Sequence, residues 1–423
     1  MAQRTRWIIL LWLVAAISIA GMAIAGPAGW DTQVYWNAIQ SVHRGGDPYA
    51  EGLAAQQAFH SRPPSDPNEH PPMTYVYSPQ TLPLLGLLTY IPGWLLGSVY
   101  WCAVAAGFML QLWACYWMAS LQERRWLVYL LPFAALFPGL LSNDVILSGN
   151  VAYILYGLVL AAAVPGWKRD KWLWFYLAVL VASLCKAPLL TLLAFPVLVG
   201  RKQWIPAGIT AAVGSLLFAA QPLLWPAQFR EYLTAVRLQF DWNHDFGFSP
   251  AGILGKILWE PGQSHSTATT TLYLAFAAAL GILLLVIGYR QRRYGLAREM
   301  WIPVALVGTV LLNPRIKEYD IGAITIPLLL IAWRTLRMVM EMATQWRLGN
   351  PGRHIASPAM FEPMAVLRSN RPDFALALAG LGWFVAINVI AGTGEAWRPT
   401  ALALLLLLFS LGLWTMHRSA SEG

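Results

Sequence analysis

The stretch "TLYLAFAAALGILLLVIGYR", Thr271 to Arg290, decides the fold class because its only charged residue is the last one. About 20 apolar residues in a helix are enough to cross the hydrocarbon core of a bilayer. Similar runs recur along the chain, which is 57% hydrophobic and 12% charged, against about 25% charged in soluble proteins. The runs lack the alternation of membrane β-strands, so the sequence predicts an all-α polytopic membrane protein.

The apolar runs predict about twelve transmembrane helices. Their ranges are 7–25, 94–119, 127–147, 150–165, 171–185, 187–200, 204–224, 271–290, 299–313, 321–338, 373–392 and 399–416. A further stretch, 79–92, is short and bounded by prolines, and we interpret it as a re-entrant or interfacial helix; a thirteenth span is the alternative. The first run is interpreted as a retained helix, with a cleaved signal peptide as the alternative.

The distribution of basic residues predicts the orientation. With twelve spans, both termini face the cytoplasm and the inner segments hold 20 of the 29 lysines and arginines, as the positive-inside rule requires. The net charge of +9 therefore indicates a bilayer partner and not nucleic acid. Function should lie on the outer side, where the two long loops 26–78 and 225–270 fall.

Three regions follow from this organisation. Residues 1–340 form the predicted transmembrane core with both long outer loops. Residues 341–371 are polar and are predicted to be a cytoplasmic linker, and residues 372–423 a C-terminal transmembrane hairpin.

Asp31 stands only a few residues beyond the first predicted span. From Asp31 to Arg44 the apolar residues fall on one side of a helix, which predicts an amphipathic helix in the membrane interface. On physical grounds alone, the simpler interpretation of Asp31 is an N-cap, a position at which aspartate is preferred. Asp47, in the following turn "GGDPY", is a second acid that competes with Asp31 for a chemical role.

Further polar residues fall at the predicted outer ends of spans or in the loop 225–270. They are Asp144, Asn150, Lys186, Asn243, His244 and Arg315. Charges at membrane depth are costly and indicate function, although Lys186 could also be a lysine that snorkels to water. Lysine and arginine at headgroup level suit a phosphate, and a carboxylate can accept a proton from an attacking hydroxyl. The set therefore indicates glycosyl transfer from a lipid phosphate carrier.

The order of short motifs resembles glycosyltransferase family 87, bacterial membrane enzymes of the GT-C fold. The motifs are "DTQVYWNAIQSVHRGGDPY", "YVYSPQTLPLLGLLTYIP", "FPGLLSNDVILSGNVAY", "LCKAPLLTLLAFPVLVGRKQW", "NHDFGFS" and "LLNPRIKEYD". Each is weak alone, and their order and spacing carry the resemblance. One position departs from the family, because Gly149 is followed by Asn150 where the family commonly has glutamine.

The resemblance implies roles for individual residues. Asp31 would be the catalytic base, and Lys186 and Arg315 would contact the carrier phosphate. The remaining candidates for substrate binding are His244, Asn243, Asn150, Asp144, Tyr35 and Tyr77. No metal or other cofactor is expected, with a divalent ion held by Asp31, Asp144 or Asp241 as the alternative.

The resemblance also implies the reaction and its setting. A sugar, mannose in the typical family member, would pass with inversion from a polyprenyl phosphate to a glycolipid, glycan or protein acceptor. The site would face the exterior of the bacterial cytoplasmic (inner) membrane. Three alternatives remain: a transporter or flippase for polyprenyl-linked glycans, a structural subunit that anchors glycan enzymes, and an arabinosyltransferase of the same fold.

Overall fold

A computed structural model describes residues 9, 13, 29–62, 72–125, 127–128, 148–241, 247, 249–258, 266–349 and 397–421. The predicted spans 7–25, 127–147 and 373–392 lie wholly or almost wholly outside these residues. Throughout the described part of the chain the regular structure is helical, with no strand.

Fourteen α-helices of six or more residues organise the described chain. They are α1 (Trp30–His43), α2 (Pro48–His60), α3 (Leu82–Leu88), α4 (Gly93–Trp117), α5 (Ala152–Arg169), α6 (Leu173–Cys185), α7 (Ala194–Val199), α8 (Trp204–Ala219), α9 (Pro226–Asp241), α10 (Pro250–Ile257), α11 (Thr267–Tyr294), α12 (Arg298–Leu311), α13 (Thr325–Gly349) and α14 (Trp397–Ser421). Short helical turns lie at Pro79–Thr81, Ala187–Leu193, Arg201–Gln203, Gln221–Leu224, Glu318–Ile321 and Gly322–Ile324.

Five helical segments of the described chain are long and apolar enough to cross a membrane. They are Gly93–Trp117, Arg201–Leu224, Thr267–Tyr294, Tyr319–Met340 and Pro399–Ser419. Each coincides with a predicted span, so the prediction of a multi-pass membrane protein is confirmed. The full count of twelve spans stays a prediction.

Three other predicted spans form helices that are too short to cross by themselves. The spans 171–185, 187–200 and 299–313 correspond to α6 with 13 residues, to the helical segment Ala187–Val199 that ends with α7, and to α12 with 14 residues. At 1.5 Å per residue even α12 is only about 21 Å long, against about 30 Å of hydrocarbon. α12 is apolar for another reason: from Trp301 to Leu311 every residue is buried, as expected for a helix enclosed on all sides by protein.

The closest helix pair is formed by α4 and α5. A Cβ on Gly157 would lie 2.1 Å from the carbonyl oxygen of Gly107, and one on Gly107 would lie 2.6 Å from the Cα of Ile154. Small residues at such crossings let two helix backbones approach closely. The contact fixes the start of α5 against the body of α4.

A smaller apolar cluster covers the start of α4. It joins α1, α2 and α3 through Val34, Ala38, Ile39, Tyr49 and Leu85. Tyr100 and Val151 pack against both this cluster and the large cluster of the bundle. The predicted helix from Asp31 to Arg44 is confirmed as α1. Within 79–92, α3 has seven residues and spans about 10 Å, which is too short to cross; its interpretation as a re-entrant or interfacial helix stays a prediction.

α13 extends beyond the apolar run 321–338 that was predicted to cross the membrane. It continues to Gly349, nine residues into the predicted linker 341–371, and the rest of that region lies outside the described residues.

A buried ion pair joins the segment after α4 to the middle of α13. Arg334 donates from Nε to Glu123 Oε1 at 2.7 Å and from Nη2 to Glu123 Oε2 at 2.6 Å, and from Nη1 to the carbonyl oxygen of Glu299. The backbone N–H of Ser120 donates to Glu123 Oε2 at 2.8 Å. The side chains of Arg334 and Glu123 are only 11% and 8% exposed, so protein groups satisfy this pair.

Candidate active site

A cavity of about 490 Å³ lies where several helices end or begin. It is bounded by the residues that follow α6, the end of α8, the start of α11 and the segment between α12 and α13. One part of its wall is apolar and aromatic, formed by Phe218, Val236, Ala251 and Tyr273. Another part is cationic and carries Lys186, Arg315 and Lys317.

Lys186 stands at the cavity because α6 ends one residue before it and the helical turn Ala187–Leu193 begins one residue after it. Its Nζ lies 3.2 Å from Asp320 Oδ1 and 4.1 Å from the ring centroid of Tyr319. The side chain is only 17% exposed. The interpretation of Lys186 as a snorkelling lysine is therefore wrong, because its ammonium group points to a buried carboxylate and not to bulk water.

Asp320 is the residue of this site that sequence analysis missed. Its side chain is 2% exposed, and its Oδ2 accepts the backbone N–H of Lys317 at 3.0 Å and the side-chain amide of Asn313 at 3.5 Å. A side-chain hydrogen bond also joins it to Tyr156. The available signal was an acid at the edge of the apolar run 321–338, where an unpaired charge would be costly.

Hydrogen bonds from α11 and from the N-cap residue of α10 fix the segment that carries Arg315 and Lys317. Tyr273 donates its hydroxyl to the carbonyl oxygen of Leu312, and Ser249 donates its hydroxyl to that of Pro314. The backbone N–H of Arg315 donates to Asn313 Oδ1 at 3.0 Å. These bonds place both cations at the cavity wall.

Gly247 joins two of the quoted motifs, "NHDFGFS" and "LLNPRIKEYD". Its φ is +70°, a backbone conformation that residues other than glycine rarely adopt. A Cβ there would also lie 2.5 Å from the carbonyl oxygen of Ile316. The two motifs therefore meet through a contact that requires glycine.

Asp31 is the second residue of α1, and the N-cap is Gly29. The interpretation of Asp31 as an N-cap is therefore wrong, because the helix begins one residue before it. Its Oδ2 is buried and has no hydrogen-bond partner among the residues that the structure describes. Asp31 does not line the cavity, but the charges of Lys186 and Lys317 act on it.

The environment of Asp31 favours a base. Burial raises the pKa of Asp31 above that of an ordinary aspartate, and this effect exceeds the opposing effects of hydrogen bonds from Asn150 and Ser148 and of the positive charges of Lys186 and Lys317. A buried carboxylate with a raised pKa holds a proton better than an exposed one. The carboxylate oxygen without a partner can accept a proton from a bound hydroxyl.

Two of the predicted substrate-binding residues, Tyr35 and Asn150, lie beside Asp31 and do not line the cavity. The Asn150 Oδ1 accepts the N–H of Ala152 at 2.9 Å, which leaves its amide N–H to donate to Asp31. The Tyr35 hydroxyl lies 2.6 Å from that of Tyr77, which does line the cavity.

Asp47, the acid that competes with Asp31 for the role of base, is the N-cap of α2. Its Oδ1 accepts the N–H groups of Tyr49 at 2.8 Å and Ala50 at 3.3 Å. It does not line the cavity.

The remaining predicted candidates, Asp144, Asn243 and His244, lie outside the described residues. Among the residues that are described, no three His, Cys, Asp or Glu side chains come together as potential metal ligands.

Comparison with known proteins identifies the family. No curated protein and no solved structure matches the chain. The family model of glycosyltransferase family 87 matches residues 75–314, more than half of the chain. The match includes Tyr77, Asn150 and Lys186, while Asp31 precedes it and Arg315 follows its last residue. The chain therefore belongs to glycosyltransferase family 87.

Proposed function

We propose that the protein transfers a sugar, mannose, from a polyprenyl phosphate to an acceptor hydroxyl with inversion. Family membership supports glycosyl transfer in a membrane. The observation that carries the choice of donor is the cavity, which is lined by the cations Lys186, Arg315 and Lys317 and also by apolar residues from membrane-length helices.

The three cations suit the leaving group of this reaction. When the bond between the anomeric carbon and the phosphate oxygen breaks, that oxygen takes the bonding electrons and the phosphate gains negative charge. Positive groups held in place beside this oxygen stabilise the transition state more than the ground state. Arginine can bind phosphate through two parallel hydrogen bonds, and lysine adds a point charge.

The apolar part of the wall suits the carrier chain. Phe218 ends α8, and Tyr273 lies near the start of α11, two helices that are long enough to cross a membrane together with their flanking turns. A polyprenyl chain that remains in the bilayer could therefore place its phosphate in the cavity without leaving lipid.

Asp31 would act as the general base. The acceptor oxygen attacks the anomeric carbon while its proton passes to Asp31 Oδ2. The bond to the carrier oxygen breaks, and the polyprenyl phosphate leaves without a proton because phosphate is already a good leaving group. Because Asp31 does not line the cavity, the acceptor hydroxyl must approach it beside Tyr77. We place this site on the outer side of the bacterial cytoplasmic membrane, with both termini inside.

The test supplies purified full-length protein in detergent with polyprenyl-phosphate mannose and polyprenyl-phosphate arabinose, and detects hydrolysis or transfer by mass spectrometry. Wild-type protein should consume the mannosyl donor faster. Asp31→Asn should reduce this rate by about a hundredfold or more, the usual contribution of a general base. Its thermal stability should not fall, because the raised pKa means that ionised Asp31 weakens the folded state at neutral pH.

Asp47→Asn is the matched control, since asparagine caps a helix as well as aspartate does. It should keep wild-type turnover. Equal loss of turnover in both variants, or wild-type turnover in Asp31→Asn, would remove Asp31 from the mechanism. In wild-type protein, kcat/KM should fall on acidification because the base must be ionised. The midpoint of this fall should lie above about 3.9, the pKa of an ordinary aspartate, since the pKa of Asp31 is raised.

A further inference from the structure

We propose that Asp320 is a positioning residue of this reaction, which sets where the Lys186 ammonium group stands relative to Arg315 and Lys317. The inference rests on the proposed function. Asp320 does not line the cavity, so it would act through the residues that do.

The two oxygens of Asp320 serve two separate parts of the chain. Oδ1 lies 3.2 Å from Lys186 Nζ, across 134 positions of sequence. Oδ2 accepts the backbone N–H of Lys317 at 3.0 Å and the amide of Asn313. One carboxylate therefore connects the residue after α6 to the segment that carries the other two cations.

Stability alone gives a weak reason for this carboxylate. Burying an ion pair costs desolvation energy that its attraction often only balances, and apolar residues of similar volume are commonly as stable. Asp320 is almost fully buried, and Lys186 nearly so. What an apolar pair could not provide is a lysine ammonium held at a defined point of the cavity wall.

Two effects of removing the charge can be separated in kinetics. Without Asp320, Lys186 loses its fixed position, so the leaving phosphate is stabilised less well and kcat falls. The site also becomes more positive by one charge, so an anionic donor binds at least as tightly as before. Loss of Lys186 itself has the opposite effect on donor binding, because it removes a positive charge.

The experiment compares Asp320→Asn and Lys186→Met with wild-type protein, with rates expressed per folded molecule. Asp320→Asn should lower kcat at least tenfold without raising the donor KM, whereas Lys186→Met should raise the donor KM. Glu123→Gln is the matched control, because Glu123 is another buried, ion-paired acid. It should lower thermal stability and leave kcat unchanged.

The double variant Lys186→Met/Asp320→Asn completes a double-mutant cycle and removes both charges of the pair together. Its kcat should equal that of Lys186→Met alone, because asparagine at this position keeps one oxygen to accept the Lys317 N–H and loses only the charged contact with Lys186. A further tenfold loss in the double variant would overturn the inference. So would a kcat within threefold of wild type in Asp320→Asn, or a donor KM raised as in Lys186→Met. If Asp320→Asn does not fold, the comparison of the double variant with Lys186→Met decides.

Binding of geranyl phosphate, followed by thermal shift, gives the same comparison without turnover. Asp320→Asn should bind it at least as tightly as wild-type protein, and Lys186→Met more weakly. Equal weakening in both variants would overturn the role of Asp320. A wild-type protein that binds geranyl phosphate but transfers no sugar would instead refute the proposed function.

Discussion

Two buried ion pairs, Glu123–Arg334 and Lys186–Asp320, use the same kind of charge in different ways. In the first, both carboxylate oxygens of Glu123 accept from the guanidinium group of Arg334, whose third nitrogen donates to the carbonyl oxygen of Glu299. In the second, one lysine contact of 3.2 Å joins the charges, and the lysine also lines a cavity. The first pair is satisfied by protein alone, while the second leaves a cation facing space that a ligand can fill.

The difference shows how to separate structural charges from functional ones in a membrane protein. Burial does not distinguish them, because all four side chains are less than a fifth exposed. What distinguishes them is whether the remaining donors of the cation face protein or a cavity. On this criterion Arg334 stabilises the fold, and Lys186 is available for an anion.

Arg334→Met should have the largest effect on stability. It leaves Glu123 buried without its counter-charge, which typically costs about 3–5 kcal/mol of unfolding free energy. Thermal unfolding in detergent should show a strongly lowered midpoint, with sugar transfer per folded molecule unchanged. The double variant Glu123→Gln/Arg334→Met should recover part of the loss. An unchanged midpoint would show that this pair does not hold the fold together.

Lys186→Met should have a smaller effect on stability and a clear one on donor binding. Asp320 keeps the hydrogen bonds from the Lys317 N–H and the Asn313 amide, so less unfolding free energy is lost than in Arg334→Met. A charge-assisted hydrogen bond to the phosphate is worth about 1.5–3 kcal/mol, so the donor KM should rise about tenfold or more. The acceptor KM should not change; an unchanged donor KM would contradict the phosphate role.

Glu51→Ala should have the smallest effect. Its carboxylate lies 3.1 Å from Arg44 Nη2, but the two side chains are 46% and 62% exposed. Exposed pairs contribute about 0–1 kcal/mol because water and salt screen them. The thermal midpoint should shift by less than in either preceding variant, and a shift as large as that of Arg334→Met would remove burial as the basis of the comparison.

Sequence analysis predicted most of what depends on apolar runs and local pattern. The helical class, the five long helices and α1 followed from hydrophobic length and periodicity. The gathering of Lys186, Arg315 and Tyr77 followed from assigning their segments to one side of the membrane. The resemblance to the family is confirmed by the family model over residues 75–314.

Pairing across the chain could not be predicted in this way. Asp320 meets Lys186 across 134 positions, and Glu123 meets Arg334 across 211, and no local pattern reports such contacts. The range of α12 was predicted within two residues, but it was interpreted as a membrane span because apolar composition indicates burial, whether by lipid or by protein. The simpler interpretation of Asp31 as an N-cap came from residue preference, although α1 begins one residue earlier.

Tyr77 stands where the two parts of the site meet. It packs against the apolar cluster of α1 to α3, and it lines the cavity that Lys186 also lines. Under the proposed mechanism, the part that receives the acceptor therefore touches the part that holds the carrier through this tyrosine. A substitution in α1 to α3 that moves Tyr77 should alter the choice of acceptor and the fit of the lipid carrier together.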